Sequence, residues 1–344
     1  METALTLLLI AVLLVLIVLT CALFTNAIEW VGHRFNLSEG AVGSVLAAVG
    51  TALPETLVPI IAIVSGALGL SNVSQESGHD IGIGAILGAP FLLGTLAMWV
   101  TASALFYFSA IKKRDLELKL NLHLFRRDFH YFFPAYIGVF LAAFIQEAWV
   151  KAGLAIGLLA FYGIYVYRTL QKEHAPDEEF DLPPLTFSPR QKSPATSMIL
   201  AQLACSLVAL LALVHFFVEQ INHLAHAWQV PAMILSLIIT PIATELPEKF
   251  NSIVWIGCRK DNLALGNITG AMVFQSCIPT AIGLLLTPWN LDNQAIASVI
   301  LCLMSSLLIY GVACTMPKKL PYALLTGGLF YLAFAVFAFS ALLK

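Results

Sequence analysis

Charge is what this 344-residue chain has least of: Asp, Glu, Lys and Arg make up 11% of it, against 59% hydrophobic residues. Soluble domains run at about 25% charged and about 45–50% apolar, so a soluble globular fold is excluded. Disorder is excluded as well, since it needs low hydrophobicity. The 18 Lys and Arg against 20 Asp and Glu leave a net charge of −2, with no basic surplus for nucleic acid. Six cysteines (Cys21, Cys205, Cys258, Cys277, Cys302, Cys314) are scattered through apolar stretches without a Cys-x-x-Cys, so they spell neither a disulfide framework nor a zinc site. No Walker A loop, His-Glu-x-x-His helix or Gly-x-Ser-x-Gly elbow occurs, which argues against ATP drive and against an enzyme. Nothing calls for a bound cofactor or a nucleotide. What remains is a polytopic membrane protein.

Apolar runs long enough to cross about 30 Å of hydrocarbon at 1.5 Å per residue can be marked directly. Ten are expected, near 4–25, 41–69, 81–111, 129–148, 152–170, 196–220, 228–256, 262–288, 295–315 and 320–343. The first is too long for a signal-peptide core and has no Lys or Arg before it, so it reads as a span. With the N-terminus outside, fifteen of the Lys and Arg fall in inner loops: Arg34, Lys112, Lys113, Arg114, Lys119, Arg126, Arg127, Arg168, Lys172, Arg190, Lys192, Arg259, Lys260, Lys318 and Lys319. Only Lys151 and Lys344 fall outside, and Lys249 lies within a span. Inner loops gather positive charge, so this split sets the orientation and places both termini outside.

The longest polar break, 171–195, is rich in Pro and charge and reads as a cytoplasmic linker. It divides the chain into 1–170 and 196–344, each with five spans. An odd number of spans forces the halves to enter the membrane from opposite sides. The expected fold is therefore all-α, with ten transmembrane helices as two inverted five-helix repeats, an arrangement common in secondary transporters.

A repeated motif supports that division. The second span carries Gly50-Thr51-Ala52-Leu53-Pro54-Glu55, and the seventh carries Ala243-Thr244-Glu245-Leu246-Pro247-Glu248. Downstream, Gly84-Ala85-Ile86-Leu87-Gly88-Ala89 answers Gly266-Asn267-Ile268-Thr269-Gly270-Ala271. Proline removes a backbone donor and frees the carbonyl four residues earlier, here Gly50 and Ala243, so the second and seventh helices are expected to be broken. Irregular backbone at membrane depth is tolerated where it is buried in protein or lines a cavity. A carboxylate beside each break demands a proton or a cation. Free carbonyls, Thr hydroxyls and carboxylates are the hard oxygen ligands that calcium takes, six to eight at a time.

These motifs resemble the cation/calcium antiporter superfamily, which includes the sodium/calcium exchangers. Its inverted repeats each contain a Gly-Thr-Ser-Leu-Pro-Glu-like segment followed by a Gly-Asn-x-x-Gly-Ser-Asn segment. The resemblance is close over about 45–95 and 240–290. It implies that Glu55 and Glu248 are the central calcium ligands, with Thr51, Thr244, Ser252 and Asn267 and the carbonyls of Gly50 and Ala243 adding oxygens. It also implies exchange of Ca2+ for a monovalent counter-ion, Na+ or H+, by alternating access.

Some positions depart from the pattern. Ala52 and Glu245 replace the family's Ser, Ala85 replaces an Asn, Pro90 and Met272 stand at the end of the second segment, and Pro59 stands opposite Ser252. These losses thin the sodium ligands and bring proton coupling forward as the rival. Glu245 adds an acidic ligand in return. Lys249, four residues after Glu245, has the spacing to neutralise it and to act as a built-in cation. Asn267, Thr269 and Gln275 are ligands or plain interhelical bonds. Gly84, Gly88, Gly266 and Gly270 have the spacing of close helix packing. His215, His223 and His226 read as interfacial. A passive channel or a cation-binding scaffold is the further alternative. The short linker suggests a prokaryotic inner membrane, with the lipid bilayer as surroundings.

Overall fold

Helix accounts for all the regular structure in the described residues. The computed structural model describes residues 2–34, 53–70, 73–172, 183–191 and 193–342, with backbone only at 2–4, 32–33, 53–54, 170–172, 243, 246–251, 339 and 341–342. The helices are α1 (Glu2–Arg34), α2 (Leu53–Leu68), α3 (Gln75–Leu92), α4 (Met98–Ala110), α5 (Leu122–Ala142), α6 (Ala148–Lys172), α7 (Thr196–Trp228), α8 (Ala232–Gly257), α9 (Asp261–Leu286), α10 (Asn293–Thr315), α11 (Leu320–Leu325) and α12 (Gly327–Leu342). A π-helical turn, Leu93–Ala97, joins α3 to α4 in one rod. The caps follow from sequence. Ser74, Asn121 and Asp292 side chains accept from the free amides that open α3, α5 and α10.

Among the described residues, seven helical rods are long and apolar enough to cross a membrane, from Leu5–Val31 to Pro317–Ala338. Glu55–Leu68 and Ala232–Ile242 are shorter apolar stretches. The α5 helix carries Arg126, Arg127 and Asp128 in its first half, so its uncharged apolar stretch is shorter. One expectation is corrected. The seventh helix is not interrupted, because α8 stays helical through Pro241 and Pro247. A proline deletes one donor, while the turns on either side keep theirs. Residues 35–52, where the companion break in the second helix was expected to begin, lie outside the described residues.

Contacts fix the helix directions. Gly78 packs on Ala62 and Gly66, and Gly82 on Pro59 and Ile63, so α2 and α3 are antiparallel. Gly84 meets Met233 and Ser236, and Gly88 meets Leu237 and Pro241, so α3 and α8 run parallel. Glu245 meets Gln275 and Ser252 meets Ala264, which makes α8 and α9 antiparallel. Consequently α2 opposes α8 and α3 opposes α9, although each pair carries equivalent motifs. The α1–α7 pair is antiparallel too, since Leu23 and Asn26 reach Gln202 while Arg34 reaches Thr196.

The packing is exchanged between halves. The α3–α4 rod packs against α10, α11 and α12, while α9 packs against α5 and α6. Gly84 and Gly88 explain the α3–α8 approach, because a Cβ at either position would drive into backbone of α8. Of the matching pair on α9, Gly270 has, among the described residues, only the Tyr165 hydroxyl nearby, at 3.6 Å, and Gly266 has no described atom within 4 Å. The packing expectation therefore holds for the first two glycines, and described atoms give it no support at the second two. Part of the linker is docked: Trp30 donates to the Pro183 carbonyl, and Gln202 accepts from the Phe187 amide.

Candidate cation site

The four helices bearing the repeated motifs, α2, α3, α8 and α9, all touch one another. Glu55 sits in the first turn of α2 and is 5% exposed. Glu245, on α8, is 2% exposed, and Thr244 beside it is buried as well. Two acidic side chains therefore lie inside the bundle, which hydrocarbon would strongly disfavour.

Gln275 is the partner that the sequence motifs underrated. From α9 its Nε2 donates to Glu245 Oε1 at 3.1 Å. Its own Oε1 is buried and has no hydrogen-bond partner among the described residues. An unsatisfied buried acceptor costs about 1–3 kcal/mol. It stands next to a buried carboxylate. Spacing on α9 was its only sequence signal, and that pattern is shared with ordinary interhelical polar contacts.

A run of hydroxyls leads along α8 to the same place. Ser236 donates to the Ile81 carbonyl at 2.7 Å and lies 3.1 Å from Thr240 Oγ1. With its proton used, Ser236 must be the acceptor of that second bond. Thr244 donates to the Thr240 carbonyl at 3.1 Å, and a hydroxyl that donates its proton still has lone pairs that can accept.

The other expected residues divide as follows. Ser252 is fully buried and donates to the Ala264 carbonyl at 3.3 Å, two turns beyond Glu245 towards the α8–α9 corner. Asn267 is half-buried on α9. Gly50 and Thr51 lie outside the described residues. So do the side chains of Ala243, Glu248 and Lys249, although their backbone belongs to α8. Thr269 turns away to a different cluster. It donates to Asp128 Oδ2 at 2.6 Å, while Tyr165 and Arg127 hold Asp128 Oδ1 at 3.2 and 3.1 Å. This buried carboxylate has a donor on each oxygen and joins α5, α6 and α9. His215 bonds Ser65 across α7 and α2 at 3.3 Å.

Carboxylates and hydroxyls buried among packed apolar helices are groups that a membrane transporter of cations would use. The sodium/calcium exchanger protein family model matches residues 5–171 and 198–343, and the chain belongs to that family. It is thereby a transmembrane antiporter of the cation/calcium superfamily. Among its relatives, "Putative antiporter CaxA" of Alkalimonas amylolytica is 25% identical over 289 residues, covering 82% of this chain and 81% of that one. "Inner membrane protein YrbG" of Escherichia coli K12 is 23% identical over 304 residues, covering 86% of each. Among solved structures, the H+/Ca2+ exchanger CAX superposes with a TM-score of 0.67 at 17% identity, covering 98% of this chain and 89% of that chain. The sodium-calcium exchanger NCX_Mj superposes with a TM-score of 0.55 at 19% identity, covering 96% and 98%.

Proposed function

We propose that the chain exchanges Ca2+ for Na+ by alternating access, with two inverted five-helix repeats, 1–170 and 196–344, rocking about a shared site. The observation that carries this reading is the Glu245–Gln275 pair, a buried carboxylate beside an amide oxygen that has no partner among the described residues. Glu55 and Glu248 supply the further negative charge, and Thr51, Thr244, Ser252, Asn267 and the carbonyls of Gly50 and Ala243 supply the neutral oxygens. The opposed directions of α2 and α8, and of α3 and α9, support the inverted repeat. Counter-ion and calcium compete for the same oxygens, so one must leave before the other is carried back. Both termini face outward, in a prokaryotic inner membrane.

Proton coupling is the second reading. Ala85, Pro90, Met272 and Pro59 are positions where oxygen ligands are missing, and a carboxyl buried beside them can release calcium by taking a proton. Relatives with either coupling share this fold, so the fold does not choose between them.

Purified protein in liposomes tests both readings. An imposed Na+ gradient is expected to drive calcium uptake, and Glu245→Gln and Glu248→Gln are each expected to reduce it at least about tenfold, in line with loss of a charged ligand. Uptake driven by a pH gradient alone would favour protons. Calcium efflux with no exchange ion at all would overturn antiport in favour of a channel.

A further inference from the structure

An extended strap from the first half lies across the α8–α9 corner of the second. Its side chains alternate: Arg114, Leu116, Leu118 and Leu120 turn inward, while Asp115, Glu117 and Lys119 turn out. Leu116 and Leu118 pack with Ile256 and Ala264 at the corner. Arg114 uses all five of its N–H groups. Nη1 donates to Asp261 Oδ1 at 2.5 Å and to the Ile256 carbonyl at 2.7 Å. Nη2 donates to Asp261 Oδ2 at 2.9 Å and to the Glu117 carbonyl at 3.1 Å. Nε donates to the Asp115 carbonyl at 3.1 Å. The Lys119 amide adds a further bond to Asp261 Oδ2, and the Asn121 amide reaches Asn262 Oδ1. Both charges are buried, with side chains 2% and 0% exposed.

We infer that Arg114 is a positioning residue for cation binding: by fixing the α8–α9 corner, it sets the separation of Glu245 from Gln275. The inference rests on the proposed cation reading of that pair and adds a distant determinant to it. The reason is leverage. Glu245 lies eleven residues along α8 from Ile256, or about 16 Å at 1.5 Å per residue. A swing of about 5° at the corner moves it by about 1.4 Å, enough to break a 3.1 Å hydrogen bond. A fully bonded guanidinium, planar and fork-shaped, holds such an angle in a way that a flexible ammonium does not.

The test is calcium binding to the purified full chain in detergent, with Arg114→Met, Gln275→Leu and the two combined. Each single change is expected to raise Kd on the order of tenfold. The double variant is expected to bind no worse than Gln275→Leu alone, because both changes remove one contact. Penalties that multiply in the double variant overturn the inference, and so does a Kd for Arg114→Met within about twofold of the parent. If Arg114→Met yields no folded protein, Arg114→Lys replaces it. That variant keeps the charge but fewer bonds, so it should bind at an intermediate Kd, and a parental value overturns the inference. A parent chain that binds no calcium removes the cation reading itself. Multiplying penalties in a parent that does bind remove only the role of the strap.

Discussion

The α8 helix is held at two levels by different forces. Towards its N-terminus, glycines of α3 let backbones approach, and the contact is made by van der Waals packing with one hydroxyl bond from Ser236. At its C-terminus, where loops meet water, a buried ion pair and a set of carbonyl bonds hold the corner with Ile256 and Asp261. In hydrocarbon there is no hydrophobic drive between helices, so close approach and small residues do the work. Near the aqueous face, a charge pair can be assembled without crossing lipid, and its strength comes from saturating every donor.

The comparison is sharpest at Asp261. Asp261→Ala leaves the Arg114 charge buried and unpaired, and is expected to cost about 3–5 kcal/mol. The readout is a large drop in the temperature at which the detergent-solubilised protein loses its monodisperse form. Gly88→Ala should cost less, about 1–3 kcal/mol, because the added methyl meets the Leu237 carbonyl and Pro241. Gly270→Ala, made in parallel, should fall within about 0.5 kcal/mol of the parent, since its nearest described neighbour is a movable hydroxyl at 3.6 Å. Equal effects at Gly88 and Gly270 would mean that the seam gains nothing from close approach. Ser236→Ala is expected to cost only about 0.6 kcal/mol, as interhelical hydrogen bonds in membranes usually do. Raised salt in the same assay should leave the Arg114 contribution in place, because buried pairs are weakly screened. A steep salt dependence would show that water reaches the clasp.

The burial of two acidic side chains was legible beforehand, for a physical reason. Glu55 and Glu245 stand out because a carboxylate in an apolar run is too costly to be incidental, and both are buried in the bundle. Gly84 and Gly88 were read as packing residues and do pack. The continuity of α8 through Pro241 and Pro247 was not legible. Sequence records the lost donor at a proline but not the neighbouring turns that keep the helix intact. The Gln275 contact was not legible because it depends on Glu245, thirty residues away. Arg114 was read as one more inner-loop charge, since nothing in the segment 112–127 reveals a partner 147 residues further on.

The amino-acid order by itself determined that this chain lives in a bilayer, that it is built of helices, and that acidic motifs recur in its two halves. Those properties follow from local chemistry: transfer free energy, helical rise and the cost of buried charge. Only the tertiary structure decided which helices run against each other, which motif glycines carry a close contact, and which arginine holds the corner. Such choices depend on distances between residues far apart in the chain, and no local rule sets those distances.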